Sequence, residues 1–133
     1  MYKTLLTSLE NNVLTITINR PDKLNALNAQ VFDDLNNILD EIEKKPEIRS
    51  AIITGAGPKA FVAGADISEF SDFSKEQAMV MAKRGQDIFF RIERCNKPII
   101  AAVNGFALGE DVNCQWRVIF VLRAKMQNLD NRK

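Results

Sequence analysis

Val31, Phe32, Leu35, Ile38, Leu39 and Ile42 fall at i, i+1, i+4, i+7, i+8 and i+11, an apolar stripe of helical period. Asp33, Asp34, Asp40, Glu41 and Glu43 lie largely off it, Asn28 is placed to cap its start, and Lys44-Lys45-Pro46 to end it. The stripe sits between β-rich stretches. Upstream, Tyr2 to Leu9 and Val13 to Ile18 flank Glu10-Asn11-Asn12, and the second run alternates Leu14, Ile16 and Ile18 with Val13, Thr15 and Thr17, as an antiparallel hairpin requires. Downstream, Ile48 to Thr54 reads as a strand closed by Gly55-Ala56-Gly57-Pro58. Strand, helix and strand in that order make a βαβ unit with a parallel pair, so the expected class is α/β.

The remaining segments repeat the theme. Arg20 to Leu27 is a loop, because Pro21 removes a donor and the residues around it are polar. Gly55 and Gly57 do not form a phosphate loop, since no Gly-Lys-Ser/Thr follows. Ala60 to Ile67 is a run of small residues suited to a backbone lining a narrow cleft, or to a tight crossing of chains. Ser74 with Gln77 forms a capping box for a helix to about Arg94, with Ala78, Met81, Ala82, Ile88, Phe89 and Ile92 as the buried face and Met79 and Met81 as core filler. Ile99 to Val103 reads as a fully buried strand, and Gly105 to Gly109 leaves it as a second small-residue loop.

Composition removes several chemistries. No histidine occurs among 133 residues, and Cys95 and Cys114 stand apart, so neither a Ser-His-Asp triad nor an ordinary zinc site can be built. A net charge of +1 without charge blocks favours neither nucleic acid nor a membrane surface as partner. No window approaches the roughly 18 apolar residues of a membrane helix, and the start has no signal-peptide pattern, so a cytoplasmic location is expected.

Arg20-Pro21 with Asn25-Ala26-Leu27, then AFVAGADISEF at Ala60 to Phe70, then KPIIAAVNGFALG at Lys97 to Gly109, resemble the enoyl-CoA hydratase/isomerase (crotonase) superfamily over residues 1–109. The branch most resembled is the short-chain enoyl-CoA hydratase. The resemblance implies the N-terminal portion of a spiral of ββα units. It also implies an acyl-CoA thioester as partner, with no cofactor beyond the coenzyme A of the substrate and no metal. Backbone N–H groups at the positions of Ala63 and, nominally, Glu110 would form the oxyanion hole. Lys23, Leu24 and Ala26, with Ala63, Gly64, Ala65, Asp66 and Ile67, would contact coenzyme A. The family assembles as trimers or hexamers, which a chain carrying this portion alone is not expected to do.

After Gly109 the family pattern continues Gly-Gly-Cys-Glu-Leu, whereas this chain has Glu110-Asp111-Val112-Asn113-Cys114. Asn113 stands at the first catalytic glutamate and Lys133 at the second, so no catalytic acid is retained and the chain is expected to be a truncated, inactive form. An isomerase or other crotonase branch is one alternative, and a non-catalytic coenzyme A-binding module is another. Codons allowed for Glu110 to Lys133, read from the third base, spell Gly-Cys-Glu-Leu-Ser-Met-Ala-Cys-His-Phe-Arg-Ile-Ala-Ser-Glu-Asn-Ala-Lys-Phe-Gly-Gln-Pro-Glu, the missing family segment. Trp116 and Met126, with a single codon each, dictate two of its alanines. Residues 110–133 are therefore expected to be an out-of-frame tail without function.

Overall fold

The computed structural model describes residues 2–57, 60–62, 66, 71–102 and 106–107. Strands β1 (Leu5–Glu10) and β2 (Val13–Ile18) precede helix α1 (Ala29–Lys44). Strands β3 (Ser50–Gly55) and β4 (Ala60–Val62) precede helix α2 (Lys75–Arg94), and β5 (Ile99–Ala101) and β6 (Phe106–Ala107) follow. Among the described residues the order is ββα, ββα, ββ, the repeated unit that the family resemblance implied.

β1, β2, β3 and β5 form one sheet in that order; the first pair is antiparallel, and β2–β3 and β3–β5 are parallel. Asn11 and Asn12 take positive φ of 54° and 66° between β1 and β2, the tight-turn geometry that asparagine tolerates. Asn28 caps α1 by accepting the Val31 N–H at 2.9 Å, and Ser74 and Gln77 make the reciprocal capping box on α2. The Lys97 ammonium donates to the carbonyls of Ile42 and Lys45 at the end of α1, at 2.5 and 2.8 Å.

One core joins the inner sheet face (Leu14, Ile16, Ile18, Ala51, Ile53, Ile99, Ala101) to the stripe of α1 and to Met81, Ile88, Phe89 and Ile92 of α2. Arg91 fastens the helices outside it, pairing with Asp40 at 2.5 Å and Glu43 at 3.2 Å. Hydrogen bonding to Arg91 holds the Asp40 carboxyl below its ordinary range.

Several expectations are corrected. β3 starts at Ser50, with Ile48 buried in the turn before it. β5 is not fully buried: Ile100 is 37% exposed, because side chains alternate across a strand and the helices cover one face. β5 also ends at Ala101, so Ala102 lies beyond the strand and is exposed, while Val103 of the expected strand lies outside the described residues. Met79 is 63% exposed and is no core filler, while Gly85 is buried on α2 and Ala78 and Ala82 are half-buried. Asp34 is buried on the stripe it was expected to avoid, because Thr4 lies against it and donates both its N–H and its hydroxyl. β4, inside a run read only as small residues, was not anticipated as a strand.

Candidate functional site

Parallel strands deliver their following segments to the same end of a sheet, where sites in α/β proteins collect. Here that end receives the Arg20–Leu27 loop after β2, Ala56 and Gly57 after β3, and Ala102 after β5, whose N–H donates to Ile53 O at 2.8 Å. β4 and β6 form a second parallel pair, with Ala60 opposite Phe106 and Val62 opposite Ala107. β4 and β6 therefore run in the same direction and end side by side at Val62 and Ala107.

The loop after β2 is built by short-range bonds. Pro21–Lys23 makes one 3-10 turn, and Leu24 and Asn25 follow in the left-handed region at φ of 53° and 56°. For leucine that conformation costs roughly 1–2 kcal/mol, so directional bonds must hold it. Asn25, with 0% exposure, supplies them: its Oδ1 accepts the Arg20 N–H at 2.9 Å and its Nδ2 donates to Ala56 O at 2.9 Å. The Arg20 guanidinium then donates through Nη1 to Ala26 O at 2.5 Å and through Nη2 to Asp66 Oδ2 at 3.0 Å. The Asp66 N–H donates to Leu27 O at 2.9 Å. The loop and Asp66 are thus bound together by both side chain and backbone.

The sequence matches the enoyl-CoA hydratase/isomerase family over residues 8–114. The chain belongs to that family. Among similar proteins, the short-chain-enoyl-CoA hydratase of Clostridium acetobutylicum is 47% identical over 100 residues, covering 75% of this chain and 38% of the relative. The crotonyl-CoA hydratase of Syntrophomonas wolfei is 40% identical over 108 residues, 81% of this chain and 42% of the relative. The crystal structure of an enoyl-CoA hydratase from Bacillus anthracis superposes with a TM-score of 0.78 at 34% identity, covering 80% of this chain and 42% of that one. The chain thus spans about two fifths of the length of the curated relatives it matches, and its architecture is the N-terminal portion of the crotonase fold.

Of the expected site residues, Lys23 closes the 3-10 turn with its side chain exposed. Leu24, 43% exposed, is carried outward on left-handed backbone. The carbonyls of Lys23 and Ala26 already accept from Ala26 N–H and from Arg20, leaving each one further lone pair for a ligand. Asp66 is buried with its carboxylate on Arg20. The other expected site residues, Ala63, Gly64, Ala65, Ile67 and Glu110, together with Asn113 and Lys133, lie outside the described residues. Sequence reasoning quoted Arg20 and Asn25 within a motif without giving them a task. The available signal was that two of the motifs carry opposite charges, Arg20 and Asp66, in segments that follow strands. No group of histidine, cysteine or carboxylate side chains suited to a metal occurs among the described residues. None of their helices is long and apolar enough to cross a membrane.

Proposed function

We propose that the site binds an acyl-CoA thioester between the loop at Lys23–Ala26 and the segment at Ala63–Ile67, and that the ancestral reaction is syn addition of water to a trans-2-enoyl-CoA, giving a 3-hydroxyacyl-CoA. The observation that supports this is the parallel β4–β6 pair, whose ends, Val62 and Ala107, immediately precede Ala63 and Leu108 in the sequence. Two N–H groups supplied by the residues that follow these strands would polarise the thioester carbonyl and stabilise the enolate formed as water adds. The relatives named as short-chain-enoyl-CoA and crotonyl-CoA hydratases support the choice of hydration over double-bond migration.

Hydration also needs a base to activate water and an acid to protonate the α-carbon. At the family's two glutamate positions this chain has Asn113, which exchanges no proton near neutral pH, and Lys133. Glu110 would bring a negative charge towards a developing enolate at the second donor. Each lost acid–base group costs about 10²- to 10⁴-fold, so the chain itself is expected to bind coenzyme A thioesters weakly and to show no hydration above buffer. Residues 110–133 are, on this reading, translated from the neighbouring frame.

The assay is loss of enoyl-thioester absorbance from crotonyl-CoA, with a full-length hydratase as positive control. Turnover by this chain that is lost in Glu110→Gln would overturn the assignment of inactivity. The coding DNA tests the tail: codons 110–133 read in the shifted frame must spell the family segment. A different spelling rejects the frameshift.

A further inference from the structure

β1 is the terminal strand of its sheet, and nothing among the described residues pairs with its outer edge. One contact fixes which main-chain groups lie along that edge. The Asn19 N–H donates to Thr4 O at 2.8 Å, which makes Thr4 and Asn19 a bonded pair of the antiparallel ladder. Bonded pairs recur at every second residue, so Leu6, Ser8 and Glu10 turn their N–H and C=O groups towards β2, and Leu5, Thr7 and Leu9 turn theirs to the open edge. Natural sheets guard such an edge with a charge, a proline, a bulge or a very short strand. From Leu5 to Leu9 this edge carries no charge and no proline, and β1 pairs with β2 along its whole length without a bulge. Apolar side chains also stand in solvent on it, Leu6 at 54% and Leu9 at 47% exposure.

We propose that this edge docks a second copy of the chain, the two β1 strands pairing antiparallel about a twofold axis at Thr7. The pattern of the edge itself selects an identical partner. With Thr7 on the axis, Leu5 of each copy faces Leu9 of the other and Thr7 faces Thr7, the one register in which all three outward-bonding residues meet one another. It sets Leu9, exposed at the rim of the core face, opposite Leu5, which is buried on that face. On the other face Leu6 and its copy approach diagonally across the axis. Lys3 precedes the strand and Glu10 ends it, so antiparallel pairing brings opposite charges to neighbouring positions at each end of the joint. The two sheets become one, running through both copies. No residue of β1 belongs to the proposed thioester site, so the inference stands apart from that reading.

The test is sedimentation of the 133-residue chain between about 1 and 300 µM, which brackets the Kd of about 10–100 µM expected of so small a joint. A monomer–dimer equilibrium should appear. Amide exchange at Leu5, Thr7 and Leu9 should slow as concentration rises, while Leu6 and Ser8, bonded to β2, stay protected throughout. Thr7→Pro removes an N–H from the open edge without touching the β1–β2 ladder, and should weaken the dimer by about tenfold or more. Thr7→Lys places two ammonium groups opposite each other on the axis and should do the same. It decides the question if Thr7→Pro loses its helical circular dichroism. Val80→Lys adds the same charge on the exposed face of α2 and should leave the Kd within about threefold of the parent. A parent chain still monomeric at the highest concentration overturns the proposal. So does a dimer that survives Thr7→Lys, one that Val80→Lys disperses instead, or one whose formation leaves exchange at Leu5, Thr7 and Leu9 unchanged.

Discussion

Replacing Asp34 by alanine probes a polar tie inside an otherwise apolar interface. Asp34 is 4% exposed on the sheet-facing side of α1. Its Oδ2 accepts the Thr4 N–H at 2.8 Å and the Thr4 hydroxyl at 2.6 Å, and its Oδ1 accepts from the Gln30 amide at 3.0 Å. Thr4 is itself buried, so the alanine variant strands two donors away from water. A hydrogen bond to a charged group contributes about 1.5–3 kcal/mol. The two from Thr4 end on one oxygen and are not additive in full, so the expected loss is about 2–4 kcal/mol near neutral pH. Asp34→Asn keeps an acceptor but not the charge, and should lose about half as much.

The pH dependence follows from the same contacts. Burial pushes the Asp34 carboxyl up, but the bonds from the Thr4 hydroxyl and N–H, from Gln30 and from the Lys3 backbone outweigh it, and its pKa lies below the ordinary 3.8. A carboxyl with a depressed folded pKa contributes stability that is fully present above its unfolded pKa and is lost as pH falls through the folded one. The gap between parent and Asp34→Ala, read by urea unfolding with helical ellipticity, should therefore hold at neutral pH and narrow below about pH 4. A loss under about 0.5 kcal/mol at neutral pH, or a gap that widens with acid, would refute the reasoning.

Tyr2 is the one tyrosine of the sequence, so phenolate absorbance reports on it alone. Burial first, then the Glu41 hydrogen bond and the negative charges of Glu41, Asp34 and Asp40, push its phenol up to about 12. The titration midpoint should lie near 12 in the folded chain and return towards 10 in urea; because the folded pKa is raised, the associated stability is complete below about pH 10 and vanishes as pH climbs through the folded value. A native midpoint at the urea value would contradict the contact with Glu41. Gly57, at φ 82°, faces Pro21 Cβ at 3.4 Å from any added Cβ, so space is adequate and backbone conformation decides. Gly57→Ala should cost about 1–2 kcal/mol in urea unfolding, and an equal or more stable variant would show that this turn relaxes freely.

How legible each feature was depended on the distance over which its cause acts. The hairpin, both helices and both caps follow from neighbours within a turn or two, and Asn28, Ser74 and Gln77 stand where the sequence put them. Asp34 was misplaced because its partner, Thr4, is 30 positions away, and a carboxylate beside an apolar stripe reads as solvent-facing until that donor pair is known. Ile100 and Met79 were misplaced for a different reason. Apolar character sets a preference for burial, but the two helices cover one face of the sheet and α2 turns Met79 outward. β4 and β6, three and two residues long, hold no periodicity to read; their pairing joins positions far apart in the chain. At the site, the motif residues were recognisable, while the link from Arg20 to Asp66 was hidden for the same reason as that from Thr4 to Asp34.

This division between local and distant causes also explains why the site is polar at its foundation. Hydrophobic burial has no direction, so the core of α1, α2 and the sheet can fix where strands end but not where the chain points beyond them. The turn at Leu24 and Asn25 adopts two consecutive left-handed residues, an unfavourable choice that the core does not reward. Bonds with direction compensate for it: Asn25 to Arg20 and Ala56, Arg20 to Ala26 and Asp66, and Asp66 to Leu27. Each joins the loop after β2 internally or to a segment that follows another parallel strand. The network fixes the course of the loop from Arg20 to Leu27, and the strain at Leu24 is the visible cost of aiming the chain.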